Sequence, residues 1–277
     1  MILLSAPLLF HKFVALGEEE QRFHSPTNGY SVVIPQGWRQ VPQEVVNQAF
    51  KAGFAENKLT FDIETVLAIE LNENELKYPY AIIQVKSYSK YGANRPLTKE
   101  EIEKVFKKIT PVILGLADTK VENVDEFFSE GMRGMFSQMK VGKLYLDNKK
   151  MSYLFGLDTE VVNIGRVKTL IFGIFGSYAQ IKITFCCSEN DWHRFRNAHN
   201  IILQSFQFDA KSDYKGSQKK NNSFWEDSLV DFCVYGSLGL VIFLIGIVGR
   251  FISKAKAKNN DVQSKDGIEK DDEQQNK

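Results

Sequence analysis

Hydrophobic and polar positions along this chain change period several times, and each change marks an element. Between Tyr78 and Tyr88, Ile83 and Val85 alternate with Gln84 and Lys86, the two-residue period of a strand with one buried face. Leu59 to Leu71 is a second strand-like run, rich in β-branched and aromatic residues. From Thr98 the period lengthens. Ile102, Val105, Phe106 and Ile109 recur at helical spacing, and Thr98 with Glu101 three positions on forms a capping box. Pro111 is expected to interrupt or kink that helix. Another helix is predicted over 42–55, where Val45, Val46, Ala49 and Phe50 share a face, and a short one around Val121 to Phe128.

Past Gly131 and Gly134 the pattern returns to strands. Lys143–Leu146 faces Met151–Leu157 across the turn Asp147-Asn148-Lys149, and the apolar runs Val167–Phe175 and Tyr178–Cys186 flank Gly176-Ser177. Trp192, Phe195, Ala198, Ile202 and Phe206 then form one helical stripe that begins near Asp191. Strand runs this apolar are expected in a sheet covered by helices, so the predicted class is α+β.

One further run has no polar face. From Phe232 to Gly249 no residue carries a formal charge, and Leu229, Val230, Phe251 and Ile252 extend the apolar stretch. Its length approaches the roughly twenty residues that cross a bilayer as a helix, so a transmembrane helix is predicted over 228–252, with Leu229, Phe232, Gly236, Gly239, Ile245 and Gly249 along it. Gly236, Gly239, Gly246 and Gly249 fall on one side of that helix, where close approach of a second copy is one reading and simple tolerance of glycine the other. Arg250, Lys254, Lys256 and Lys258 follow the run; Glu226, Asp227 and Asp231 precede it. Basic flanks stay on the cytoplasmic side, which predicts a single-pass protein of the cell membrane with its tail inside and its domain outside. The start, with its apolar stretch Ile2–Leu9 and no basic residue before it, is a weak export signal. A tail-anchored protein with a cytoplasmic domain is therefore the alternative. The expected organisation is a short signal or apolar segment at 1–17, a globular domain at 22–209, a polar linker at 210–227, the span, and a disordered charged tail at 253–277.

Composition narrows the chemistry. The 277 residues carry a formal charge of +1, which gives no case for nucleic-acid binding. The three cysteines form no disulfide framework; Cys186 and Cys187 are neighbours on a strand and point to opposite faces, so one is expected in the core. The four histidines show no ligand spacing: His193 and His199 are six apart on the last helix, the first read as a solvated imidazole, and His24 reads as a surface residue. No catalytic, cofactor-binding or metal motif is read, and an accessory or binding protein is expected over an enzyme whose site is assembled from dispersed residues.

The segment Gly29-Tyr30-Ser31-Val32-Val33-Ile34-Pro35-Gln36-Gly37-Trp38 resembles the opening of Mog1/PsbP-like domains, a glycine-tyrosine strand ended by proline, glycine and tryptophan. Ile201–Phe208, with its Ser-Phe-x-Phe close, is similar to their end. The resemblance covers roughly 22–209 and implies an antiparallel sheet sandwiched by helices, α/β/α, in a bacterial PsbP-like or DUF1795-like protein. Within the motif, Tyr30 to Ile34 should alternate against the core, Pro35 end the ladder, Gly37 allow a tight turn, and Trp38 fold back onto the sheet. Members of the superfamily include photosystem II extrinsic proteins and a protein that binds the GTPase Ran; no residue here carries either role over.

Overall fold

The computed structural model describes residues 20–47, 62–69, 71–72, 75–76, 78–91, 96–118, 136–161, 165–214 and the single residue Cys233. The helices predicted over 42–55 and 121–128 lie largely or wholly outside these; residues 43–47 are helical. So does nearly all of the predicted span, including Leu229, Phe232, Gly236, Gly239, Ile245 and Gly249, together with Arg250, Lys254, Lys256 and Lys258. Among the described residues no helix is long and apolar enough to cross a membrane.

The central element is an antiparallel sheet. Its strands are β3 (Arg39–Gln40), β4 (Ile63–Ala68), β7 (Tyr80–Ser87), β8 (Phe136–Val141), β10 (Ser152–Val161), β11 (Gly165–Phe175) and β12 (Ala179–Ser188), in the order β3-β4-β7-β12-β11-β10-β8. A short β9 (Tyr145–Asp147) also pairs with the start of β10, across the turn that the sequence predicts. A separate three-stranded sheet joins β1 (Arg22–Ser25), β2 (Tyr30–Val33) and β13 (Gln207–Phe208), and β5 (Leu71–Asn72) with β6 (Glu75–Leu76) makes a two-stranded ribbon. The helices are α1 (Lys99–Asp118) and α2 (Trp192–Ser205). The molecule is thus an antiparallel α+β protein, with a helix on each side of the large sheet.

Each face has its own core. On one, α1 sets Ile102, Val105, Phe106, Ile109 and Ile113 against Tyr153, Phe155 and Leu157 of β10 and Ile171 and Phe175 of β11. On the other, α2 and the small sheet set Ile202, Tyr30 and Val32 against Ala81, Ile83 and Val85 of β7 and Ile181, Ile183 and Phe185 of β12. The capping box forms as read: the Glu101 backbone N–H donates to Thr98 Oγ1 at 3.1 Å, and the Thr98 N–H donates to Glu101 Oε2 at 2.7 Å. Pro111 does not end α1, which continues to Asp118. The Thr110 hydroxyl donates to the Phe106 carbonyl at 2.8 Å beside it.

The opening motif folds locally as expected and sits differently. Gly37 has φ +79°, and the Trp38 N–H closes the turn on the Pro35 carbonyl at 2.9 Å. That left-handed position is one glycine fills without strain. Trp38 returns to the core against Phe195 and His199 of α2. The alternation expected from Tyr30 to Ile34 is absent from burial, because every residue from Tyr30 to Val33 is buried. The strand belongs to the small sheet, where Phe208 pairs with Tyr30 and Phe206 stacks on the Tyr30 ring with centroids 5.5 Å apart.

Candidate functional site

Antiparallel pairing places opposed residues on the same face. On β7 and β12 the register sets Lys86 opposite Gln180, Gln84 opposite Lys182 and Ile82 opposite Thr184. The polar members lie on the α1 side of the sheet, beyond the half that the α1 core covers. In the sequence Gln84 and Lys86 are the polar half of an alternating strand. Both are buried, as are Gln180, Lys182 and Thr184. Lysines and glutamines thus occupy alternate corners of one buried square of the sheet.

The surroundings of this row are specific. Gly173 of β11 has no side chain, and the Tyr153 ring fills the space where one would stand. Tyr153 thereby reaches across β11, and its hydroxyl accepts a hydrogen bond from Gln180 Nε2 at 3.1 Å. The same amide donates to Cys233 Sγ at 3.0 Å, and the thiol lies 3.5 Å from Gln180 Oε1. Cys233, second residue of the charge-free run, is therefore packed on the sheet and fully buried.

Electrostatics single out the lysines. Burial pushes the Lys182 ammonium down to about 7; Cys233 acts against that shift and the neighbouring Lys86 charge with it. Neither lysine is left without a partner. Both amide atoms of Gln84 and the hydroxyl of Thr184 are buried without a hydrogen bond. A buried orphan amide costs about 1–3 kcal/mol, and Gln84 stands opposite Lys182 in this row. Ammonium, amide and hydroxyl donors together match a carboxylate or phosphate.

Other candidate residues fall elsewhere. Cys186 faces the α1 side and Cys187 the α2 side, as their neighbouring positions require, but both are buried, and burial pushes each thiol up to about 12. His24 is exposed and lies 3.2 Å from Asp209. His199 is 1 % exposed within α2 and ringed by Trp38, Phe185 and Trp192. Glu64 of β4 accepts from Ser25, Asn28 and Tyr30 and ties the β1–β2 turn to the large sheet. Among the described residues no three His, Cys, Asp or Glu side chains converge as a metal site. The polar row itself was legible only as alternation; which side water reaches is a tertiary property.

No family model matches the chain, and no characterised protein matches it in sequence. Solved structures that it resembles include the solution structure of cyanobacterial PsbP (CyanoP) from Synechocystis sp. PCC 6803, at 12 % identity and a TM-score of 0.37, over 70 % of this chain and 96 % of that one. A likeness at that level carries nothing about activity.

Proposed function

We propose that this protein is a single-pass, membrane-anchored binding module: a PsbP-like domain that holds a partner or ligand, tied to the bilayer by its apolar run. One observation carries the reading. The buried polar row lies against Cys233, at the point where the chain enters its charge-free stretch. Donors gathered there suit the holding of an anionic group at the membrane-proximal side of the domain. With Cys233 on the sheet, residues 234–252 remain for the crossing. As a helix they span about 28 Å, close to the roughly 30 Å hydrocarbon core. The PsbP-like assignment is supported by the turn at Gly37, the return of Trp38 and the helix-to-strand close at Ser205–Phe208. The basic residues from Arg250 to Lys258 favour a cytoplasmic tail and an extracytoplasmic domain, and the glycines of the run offer a face for self-association.

Alkaline carbonate washing of membranes tests the anchor. The full chain is expected to stay in the pellet, and a chain ending at residue 214 to leave it; release of the full chain would remove the anchor from the proposal. A tag on the tail, probed by protease in intact cells, decides orientation. A second reading follows from Cys233 itself: the apolar run could continue across the sheet as a covering helix of a protein with no anchor. Release by carbonate is the outcome that favours it.

A further inference from the structure

We propose that one end of the large sheet, where the β9–β10 and β11–β12 turns meet, seats on anionic lipid headgroups. Lys143, Lys149 and Lys150 meet the phosphates, and Tyr145, Leu146 and Tyr178 enter the headgroup layer. The inference deepens the anchored reading above and rests on it for the direction in which the domain faces the bilayer.

The antiparallel register gathers these residues. β9 pairs with the first three residues of β10, Tyr145 opposite Leu154 and Asp147 opposite Ser152. Ser152 in turn pairs with Ile174 near the close of β11. Both turns therefore project from the same end, and the Phe175 N–H ties them together by donating to the Met151 carbonyl at 2.9 Å. Among the described residues, the large apolar side chains left exposed are Tyr145, Leu146 and Tyr178. Exposed apolar residues scattered singly need no explanation, but these stand on neighbouring turns of one end. A tyrosine, with an apolar ring and a polar tip, suits the boundary between lipid and water.

Charge at this end matches an anionic surface. Lys143, Lys149 and Lys150 are exposed, and the Lys143 ammonium stands 5.2 Å over the Tyr145 ring. The carboxylate of Asp147 is drawn into its own turn, where it accepts from the Lys149 and Lys150 N–H groups at 2.9 and 3.0 Å. Lys211 and Asp213, both exposed, add one charge of each sign. Glu100, Glu101 and Glu103 act on Tyr214 from α1, and Lys99 lies 3.8 Å from Glu103. The two turns themselves keep a positive balance.

The path of the chain turns this end towards a bilayer. The Ser177 N–H donates to the Ser212 carbonyl at 2.9 Å, which brings residues 212–214 beside the β11–β12 turn. Cys233 lies 3.0 Å from Gln180 Nε2, and Gln180 is two residues from Tyr178, about 7 Å along the strand. The charge-free run continues from Cys233. A span that starts there brings the lysines and tyrosines to the headgroups and leaves the far end of β12, about 30 Å away, in water.

Contact quenching of the full-length chain tests the proposal. Asn148→Cys, at the tip of the β9–β10 turn, takes a fluorescent label selectively, because Cys186, Cys187 and Cys233 are buried. Asn190→Cys, exposed past the far end of β12, is the control. The chain is placed in phosphatidylcholine vesicles with or without phosphatidylglycerol, and a spin-labelled lipid is the quencher. With phosphatidylglycerol the label at 148 is expected to be quenched and that at 190 not, and the difference should shrink in high salt. Replacing Lys143, Lys149 and Lys150 together by Gln should lower the ratio of docked to undocked domain about a hundredfold, roughly fivefold for each lysine. Equal quenching of the two labels, or quenching at 148 indifferent to phosphatidylglycerol and to the three lysines, would overturn the proposal. Carbonate washing reads the anchor separately. A chain that stays in the pellet without quenching at 148 keeps the anchor and loses the surface. A released chain that is quenched at 148 when added to phosphatidylglycerol vesicles keeps the surface and loses the anchor.

Discussion

Two residues show how single positions set this structure. Gly173 lets Tyr153 cross β11 and bond Gln180; a Cβ there would stand 2.2 Å from the ring. Gly173→Ala is expected to displace the ring and destabilise the protein by about 1–3 kcal/mol, read from denaturant unfolding. The double variant Gly173→Ala with Tyr153→Leu should recover part of the loss, because the clashing ring is gone. No recovery would place the cost in the backbone. His199 is the second case. Burial pushes its imidazole down to about 4, from 6.5 in the open chain. Between those values the unfolded state binds the extra proton. Stability is therefore complete above about pH 6.5 and is lost as pH falls towards 4, by up to about 3 kcal/mol. His199→Phe, which also removes two unbonded ring nitrogens, should flatten the stability profile across that window; an unchanged profile would assign the acid sensitivity to other groups.

At the level of elements, local signals carried far. The capping box at Thr98 and Glu101 is legible in four residues because both its bonds are made within one turn. Thr98→Ala should lower stability by about 1 kcal/mol, measured by chemical denaturation, and a loss indistinguishable from zero would mean that packing alone sets the start of α1. The strands Val167–Phe175 and Tyr178–Cys186 and the stripe on α2 were equally plain, since their apolar runs have the right period and their turns the right residues. Pro111 misled. A proline removes one N–H and crowds one carbonyl, but α1 buries Ile109 and Ile113 on either side of it, and that burial outweighs the local cost.

Across the whole molecule, the two sides of the large sheet are unlike. The α2 side of β7 and β12 carries Ala81, Ile83, Val85, Ile181, Ile183 and Phe185. Their α1 side carries Gln84, Lys86, Gln180, Lys182 and Thr184, all buried. That asymmetry puts the candidate site beside Cys233. Sequence alone determined the strands β7, β10, β11 and β12, the helices α1 and α2, the α+β class, the turn at Gly37 and the charge-free run, because these depend on residues close together in the chain. The tertiary structure decided that Tyr30–Val33 leaves the main sheet, that His199 is a core residue, and that Gln84, Lys86, Gln180 and Lys182 form a buried square. Each of these depends on which distant segment covers a surface, and alternation along a strand names two faces without saying which of them meets water. The run that begins at Phe232 shows the same limit: its composition suits lipid, while its second residue is held by Gln180, fifty-three positions away.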